Sequence, residues 1–180
     1  MKLLKFIFFS SFIMLFTNCS DDNTDATQFI LSNENIVGTY NISELNIKTK
    51  VTSTTDVAGV LIPFTVATSI SNGDVFQFAF VLNSDGTFSA SGQFVIETKV
   101  TPVSGDVVTN QEIVNNTNSG TYTLNSEDAK ITFVSSTGDF LKGTYNILTF
   151  NETVLSLNQE IEEVVDTITT EINTSISFIR

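Results

Sequence analysis

The chain has 180 residues, of which 41% are hydrophobic and 16% charged; this is enough for one domain with a real core and excludes a disordered chain. The net charge of -12 opposes contact with phosphate backbones, so no nucleic-acid partner is expected. Threonine occurs 26 times and, together with many valine, isoleucine and phenylalanine residues, favours strands over helices.

The first segment has the pattern of a secretory signal. Two lysines, at positions 2 and 5, make its beginning positively charged. The apolar stretch, residues 3–16, is too short for a membrane span and ends at a polar boundary. There Leu15-Phe16-Thr17-Asn18-Cys19 resembles a lipobox, in which a signal peptidase cuts just before a cysteine that is then acylated. A lone cysteine in an exported protein cannot form an internal disulfide. We therefore predict a signal peptide at residues 1–18 and lipid attachment at Cys19, with the membrane as a partner.

An acidic, polar tether is predicted next, over residues 19–34. Its run Ser20–Asp25 resembles the surface-export signal of Bacteroidota lipoproteins, and that resemblance implies a lipid-anchored protein exposed on the outer membrane. The same run matches the first three ligand positions of a calcium loop, but Ala26 stands where glycine is required. No metal site is therefore expected.

The clearest pair of predicted strands lies between Asp74 and Ile96. Asn83–Gly86 supplies the turn, because Asp-Gly suits the positive φ of a tight hairpin. On both sides of the turn every second residue is apolar, which is the period of a strand with one wet face. The apolar face comprises Phe76, Phe78, Phe80, Leu82, Phe88, Ala90, Phe94 and Ile96.

Other strands are predicted around this hairpin, with interruptions. A change of parity predicts a bulge near Ser43–Glu44, Pro63 indicates an edge or a bulge, and Asn72–Gly73 predicts a turn. Residues 157–166 fit either a hairpin with an acidic tip or a short helix, of which we favour the hairpin. The remaining predicted strands are Gly105–Val114, Gly120–Asn125, Lys130–Ser135, Gly143–Phe150, Val154–Gln159 and Thr167–Ile179.

The predicted fold is all-β, with eight to ten antiparallel strands in one domain over residues 35–180. Consecutive antiparallel strands must hide their edges, and closure into an up-and-down barrel does this fully. A two-sheet sandwich is the alternative, because it also accounts for the alternation.

Short motifs in the domain resemble lipocalin-like lipoproteins of Bacteroidota. Ile36-Val37-Gly38-Thr39-Tyr40 looks like the lipocalin opening, although Tyr40 stands where lipocalins usually have tryptophan. The stretch Phe80–Phe88, and Gly120–Tyr122 followed by Ile131–Phe133, are similar to their later strands. The resemblance implies an up-and-down barrel whose closed end is covered by a basic residue, for which Arg180 is the candidate.

The same resemblance implies that the protein binds a small hydrophobic ligand inside the barrel. The alternative is a filled core in a structural or interaction subunit of an outer-membrane complex, with residues 101–119 as the surface for a protein partner. The residues predicted to line the ligand site are Tyr40, Phe78, Phe80, Phe88 and Phe94.

No set of catalytic residues is present in the sequence. The chain has no histidine, its one cysteine is expected to be acylated, and it has neither a nucleophile elbow nor a phosphate loop. A glycosidase that uses a pair of carboxylates is formally possible. However, sugar sites usually contain aromatic platforms, and this chain has no tryptophan to supply one. We therefore expect neither an enzyme nor a bound cofactor.

Overall fold

A computed structural model describes residues 29–180, and this part of the chain forms a closed barrel of eight antiparallel strands in chain order. Each strand pairs with the next and the last pairs with the first, as predicted for an up-and-down barrel rather than a sandwich. The predicted signal peptide, Cys19 and most of the tether lie outside the described residues. The strands are β1 (Gly38–Val57), β2 (Val60–Leu82), β3 (Thr87–Pro102), β4 (Val108–Asn125), β5 (Lys130–Thr137), β6 (Gly143–Phe150), β7 (Val154–Val165) and β8 (Ile168–Ile179).

The hydrophobic core occupies one end of the barrel, which we call the closed end. It lies where β1 begins and β8 ends, and its side chains alternate along each strand with exposed ones. Each fully buried phenylalanine or leucine stabilises the fold by about 1.5–3 kcal/mol relative to an exposed one. Twelve large side chains are almost completely buried there: Ile36, Tyr40, Phe80, Leu82, Phe88, Ile131, Phe133, Leu141, Leu155, Leu157, Ile176 and Phe178.

The strands differ greatly in length, and this gives the barrel two unlike halves. β5 and β6 have 8 residues each, whereas β1 has 20 and β2 has 23. Moreover β5 and β6 pair only through Lys130–Phe133 and Gly143–Asn146. Beyond these pairs six strands continue in the order β4-β3-β2-β1-β8-β7, which leaves a slot between β4 and β7. We call this six-stranded part the open half.

Two side-chain amides replace the missing ladder at the base of the slot. The Asn118 Nδ2 atom on β4 donates to the Thr137 carbonyl at 2.7 Å, and the Gln159 Nε2 atom on β7 donates to the Lys142 carbonyl at 3.0 Å. Among residues 29–180, Asn118 and Gln159 are the two buried polar residues. We call this pair the amide clamp, because it fastens the loop between β5 and β6 to both free edges.

The clamped loop, residues 138–142, seals the core from the open half. Leu141 is fully buried, and the Phe140 ring centroid lies 5.1 Å from that of Phe78 and 5.7 Å from that of Phe94. These contacts place an aromatic lid over the closed end.

Of two interruptions that were predicted in the first strands, a bulge and a turn, the structure confirms the bulge and contradicts the turn. The bulge near Ser43–Glu44 is confirmed, because the register of β1 shifts there against both neighbours. The turn at Asn72–Gly73 is wrong: both residues lie within β2, and the register shift follows between Asp74 and Gln77. Gly73 serves close packing instead, because a Cβ there would lie 2.8 Å from the Phe76 ring.

The strands around the polar segments also differ from the prediction. The predicted strands Gly105–Val114 and Gly120–Asn125 merge into one strand, β4, which begins only at Val108, because the polar residues between them pair with β3. A hairpin rather than a helix is confirmed, but the predicted acidic tip is wrong. Glu160, Glu162 and Glu163 lie within β7, and the hairpin of β7 and β8 turns at Asp166 and Thr167. Pro63 lies at an edge as predicted, because β3 ends opposite Ala67. Residues 29–180 contain no helical segment that could span a bilayer.

Removing one member of the amide clamp is expected to destabilise the barrel. Gln159→Leu has nearly the same volume but leaves the Lys142 carbonyl without its donor, which costs about 1–3 kcal/mol. Urea-induced unfolding measures the loss. Gln111→Leu, at an exposed position on β4, is the matched control and is expected to stay within about 0.5 kcal/mol of the native chain. Equal stability of the two variants would contradict a structural role for the clamp.

Candidate functional site

The five residues predicted to line a ligand site all lie in the closed end, at 0–3% exposure. The structure brings them together in two layers. Tyr40 and Phe88 surround Phe80 in the lower layer, with ring centroids 6.1 and 6.3 Å away from that of Phe80. Phe78 and Phe94 form the upper layer, with their centroids 6.0 Å apart.

The lower layer has the contacts of a core. The Phe80 ring centroid also lies 4.8 Å from that of Phe178 and 5.9 Å from that of Phe133, so aromatic neighbours surround it. Such tilted and edge-on pairs add about 0.5–1.5 kcal/mol each beyond their burial. The three predicted residues of this layer therefore stabilise the fold, and a role in lining a ligand site stays a prediction for them.

Arg180 covers the closed end, as predicted. Its guanidinium donates to the Tyr40 hydroxyl at 2.7 Å and to the Val37 carbonyl at 3.0 Å, and its Cζ atom lies 4.9 Å from the centroid of the Tyr40 ring. The Tyr40 hydroxyl in turn donates to the Ile36 carbonyl at 2.7 Å. Burial raises the pKa of Tyr40, and the nearby positive charge of Arg180 opposes that rise. This contact combines a cation–π interaction with charge-assisted hydrogen bonds at the barrel base.

The upper layer borders a ring of apolar side chains that we call the waist. These side chains contact the core below them but are only partly buried, so they present apolar surface to the open half. Above the waist the inner face continues with small hydroxyl residues, among which Ser71 and Thr98 share a hydrogen bond of 2.8 Å. The waist consists of Ile47, Phe76, Ile96, Val114 and Phe140.

The inner face of the open half carries negative charge. Glu112 on β4 pairs with Ile96, and Glu163 on β7 pairs with Thr170, so strand alternation places both carboxylates on the inner side. The lysines of the open half lie on β1 and β3, where they alternate with inward residues and therefore face outward: Lys48, Lys50 and Lys99. This arrangement opposes an anionic ligand and favours a neutral one.

Two unpaired acceptors lie beside the slot. The Oδ1 atoms of Asn116 and Asn118 are buried without a hydrogen-bond partner among the described residues. Both residues share the inner face of β4, because they pair with Gly92 and Ala90 of β3. A group that donates a hydrogen bond there would offset the cost of burying these oxygens, which is about 1–3 kcal/mol each.

The sequence analysis missed the waist as a site, although its signal was partly visible. Phe76 and Ile96 belong to the alternating apolar face that predicted the hairpin. Phe140 carried no strand pattern, and only the clamped loop shows that it faces the core. The sequence could not distinguish buried members of the face from half-buried ones, since that depends on where β5 and β6 end.

The chain matches no family model, no curated protein and no solved structure. Within residues 29–180 no cluster of three or more histidine, cysteine, aspartate or glutamate residues is placed to hold a metal ion. Function is therefore inferred from the geometry of the barrel.

Raising the pH above 10.0, the ordinary pKa of tyrosine, is expected to destabilise the protein. Burial raises the pKa of Tyr40, Tyr122 and Tyr145, so the native state keeps protons that the unfolded chain loses. The contribution of these tyrosines to the free energy of unfolding is complete below pH 10.0, and it is lost as the pH rises through their pKa values in the folded protein. Tyr145→Phe should make the decline shallower by at most about 1.4 kcal/mol per pH unit. Urea unfolding at a series of pH values above 10.0 measures the free energy of unfolding of both proteins. An identical decline in the variant and the native chain would contradict the prediction.

Proposed function

We propose that this protein is a lipid-anchored lipoprotein of the outer membrane that holds one small, neutral hydrophobic molecule in the open half of its barrel. The waist carries the proposal, because it is an apolar floor that is half exposed between walls of continuing strands. An apolar concavity with a few polar groups is the usual form of a small-molecule site. In this version of the ligand hypothesis, the ligand rests on the waist residues Phe76 and Phe140 rather than among the buried aromatic residues below them.

Apolar contact would supply most of the affinity. A ligand that covers roughly 300 Å² of apolar surface gains about 7 kcal/mol before the costs of association are subtracted. The inward carboxylates of Glu112 and Glu163 disfavour fatty acids, whose head group is also negative. Neutral lipophilic molecules with a hydroxyl or amide donor fit better, since the Asn116 and Asn118 oxygens can accept that donor.

The position of the N-terminal segment supports a lipoprotein whose open half points away from the anchoring membrane. Phe29 packs on the closed end, with its ring centroid 5.0 Å from that of Phe150. Residues 20–28 would then join Cys19 to that end and can span at most roughly 30 Å. The strands run roughly 50 Å from the closed end to the far rim. A ligand would thus enter from the side facing away from the lipid, which on our proposal is the outside of the cell.

Blocking the inner face above the waist is expected to abolish uptake. Thr98→Trp places an indole beside Ser71 inside the open half and should weaken binding of the neutral fluorescent probe N-phenylnaphthylamine by at least about tenfold. Thr101→Trp makes the same change on the outer face of β3 and should leave binding unchanged. Fluorescence titration of the full chain in detergent checks both. If the native chain does not take up the probe, or if both folded variants bind like it, the proposed site is wrong.

A second candidate function, docking of a protein partner, is favoured by the hairpin tips at the far rim. All three tips expose large apolar side chains, and exposed apolar patches often mark interaction sites. These tips are the turns between β1 and β2, between β3 and β4, and between β7 and β8. The turn between β3 and β4 lies in the segment 101–119 that the sequence analysis named for such a role. The most exposed members are Val60, Leu61, Val103, Val164 and Val165, at 61–68% exposure.

If the tips dock a protein, polar substitutions there should release the partner. Leu61→Ser combined with Val165→Ser is expected to lose proteins that copurify with the native chain from gently solubilised envelopes, because apolar contact area is removed. The control combines Val134→Ser and Leu148→Ser, which are equally exposed on β5 and β6. Quantitative mass spectrometry of the copurified proteins compares them. Equal recovery with both variants would contradict docking through the tips.

A further inference from the structure

The outer wall of the open half contains a groove of about 720 Å³ that the proposed ligand site does not use. It crosses four adjacent strands, β2, β1, β8 and β7, and each strand contributes three consecutive residues. The middle residue of each triplet belongs to the inward row, so the groove lies between the two flanking outward rows. The rows are Thr68–Lys50–Glu171–Glu162 and Ile70–Lys48–Asn173–Glu160.

Charge is distributed unevenly along this groove. Its β1 section carries Lys48 and Lys50, and its β7 section carries Glu160 and Glu162. Between them, Glu171 is bound to Lys50 at 3.1 Å. The groove is therefore positive at one section and negative at the other.

Three of these charges, Lys48, Glu160 and Glu162, have no ionic partner of opposite sign within residues 29–180, although Glu160 accepts a hydrogen bond from Asn173. Lys48 lies opposite Ile70 on one side and Asn173 on the other, and it makes no salt bridge. Glu162 lies directly opposite Glu171, a like charge, and makes none either. Like charges in directly opposite positions destabilise a sheet, so a cation placed beside Glu162 would relieve a repulsion.

We propose that this groove binds a short zwitterionic peptide in extended form. Its terminal carboxylate would pair with Lys48 and its terminal ammonium with Glu162. β1 and β7 are two strand spacings apart, and Lys48 and Glu162 also stand two residues apart along the strands, so their Cα atoms are separated by roughly 12 Å. An extended tripeptide spans roughly 10 Å between its ends, and the long side chains of Lys48 and Glu162 cover the remaining distance.

β8 lies between the two charged sections, under the middle of such a peptide. Its Asn173 side chain, which already donates to Glu160 at 2.8 Å, provides a polar group for the peptide backbone. Ile70 on β2 lies directly beside Lys48, is partly exposed, and offers an apolar contact at the carboxylate end of the peptide. The head group of a zwitterionic lipid holds its two charges much closer together and cannot reach both sections. Tripeptides with small apolar side chains are therefore the ligand class that the groove fits.

Calorimetric titration of the full chain in detergent at low salt with tri-alanine tests the proposal. The acetylated and amidated form of the same peptide lacks both end charges and serves as the control ligand. We expect tri-alanine to bind more tightly, and Lys48→Met and Glu162→Gln each to weaken its binding about two- to fivefold, as for solvent-exposed ion pairs. Added salt should reduce the affinity in the same direction.

Two control variants separate this site from a general charge effect. Lys130→Met and Glu127→Gln make the same charge changes at the turn between β4 and β5, outside the groove, and should bind tri-alanine like the native chain. Equal binding of both forms of the peptide, or no loss in the two groove variants, would overturn the proposal. The outcome is independent of the open half, because binding of N-phenylnaphthylamine should not change in any of these four variants.

Discussion

The shortness of β5 and β6 is the constraint on which the rest of the structure depends. Eight strands close the barrel where both are present, and a barrel of that size is filled by side chains, as the rings around Phe80 show. Where they end, the barrel would leave its core open beside two free edges. Asn118 and Gln159 solve both problems together, because fastening one loop to each edge also seats Phe140 and Leu141 over the core.

The polar groups of this clamp also mark the boundary between the packed end and the half in which we propose that a ligand binds. Below it, the aromatic side chains are fully buried and stabilise the closed end. Above it, the waist side chains keep part of their surface exposed, the inner face turns acidic, and unpaired amide oxygens appear. One fold thus combines a filled end with an open one, and the two functional hypotheses from the sequence, a ligand site and a filled core, apply to different ends of it.

Much of the fold could be predicted from alternation alone. The period of two in residues 74–96 predicted the central hairpin, and the change of parity after Ile42 predicted a bulge, because one inserted residue reverses every later side chain. Asn72–Gly73 misled the prediction, since turn chemistry also suits a strand interior where a ring packs against the backbone. The candidate site was harder to predict. Which phenylalanines are sealed and which border the open half depends on where two distant strands stop pairing, and local pattern does not encode this.

The slot between β4 and β7 also has a mechanical consequence. In a fully closed barrel every strand is bonded on both sides, so its circumference is fixed by the number of strands and their stagger. The open half is not closed in this way. Its circumference can change by bending of the sheet while every existing backbone hydrogen bond is kept. The contact between Tyr40 and Arg180 holds the closed end together, so this bending is confined to the far rim of the barrel. If the open half holds a ligand as proposed, one sequence suits ligands of unequal width.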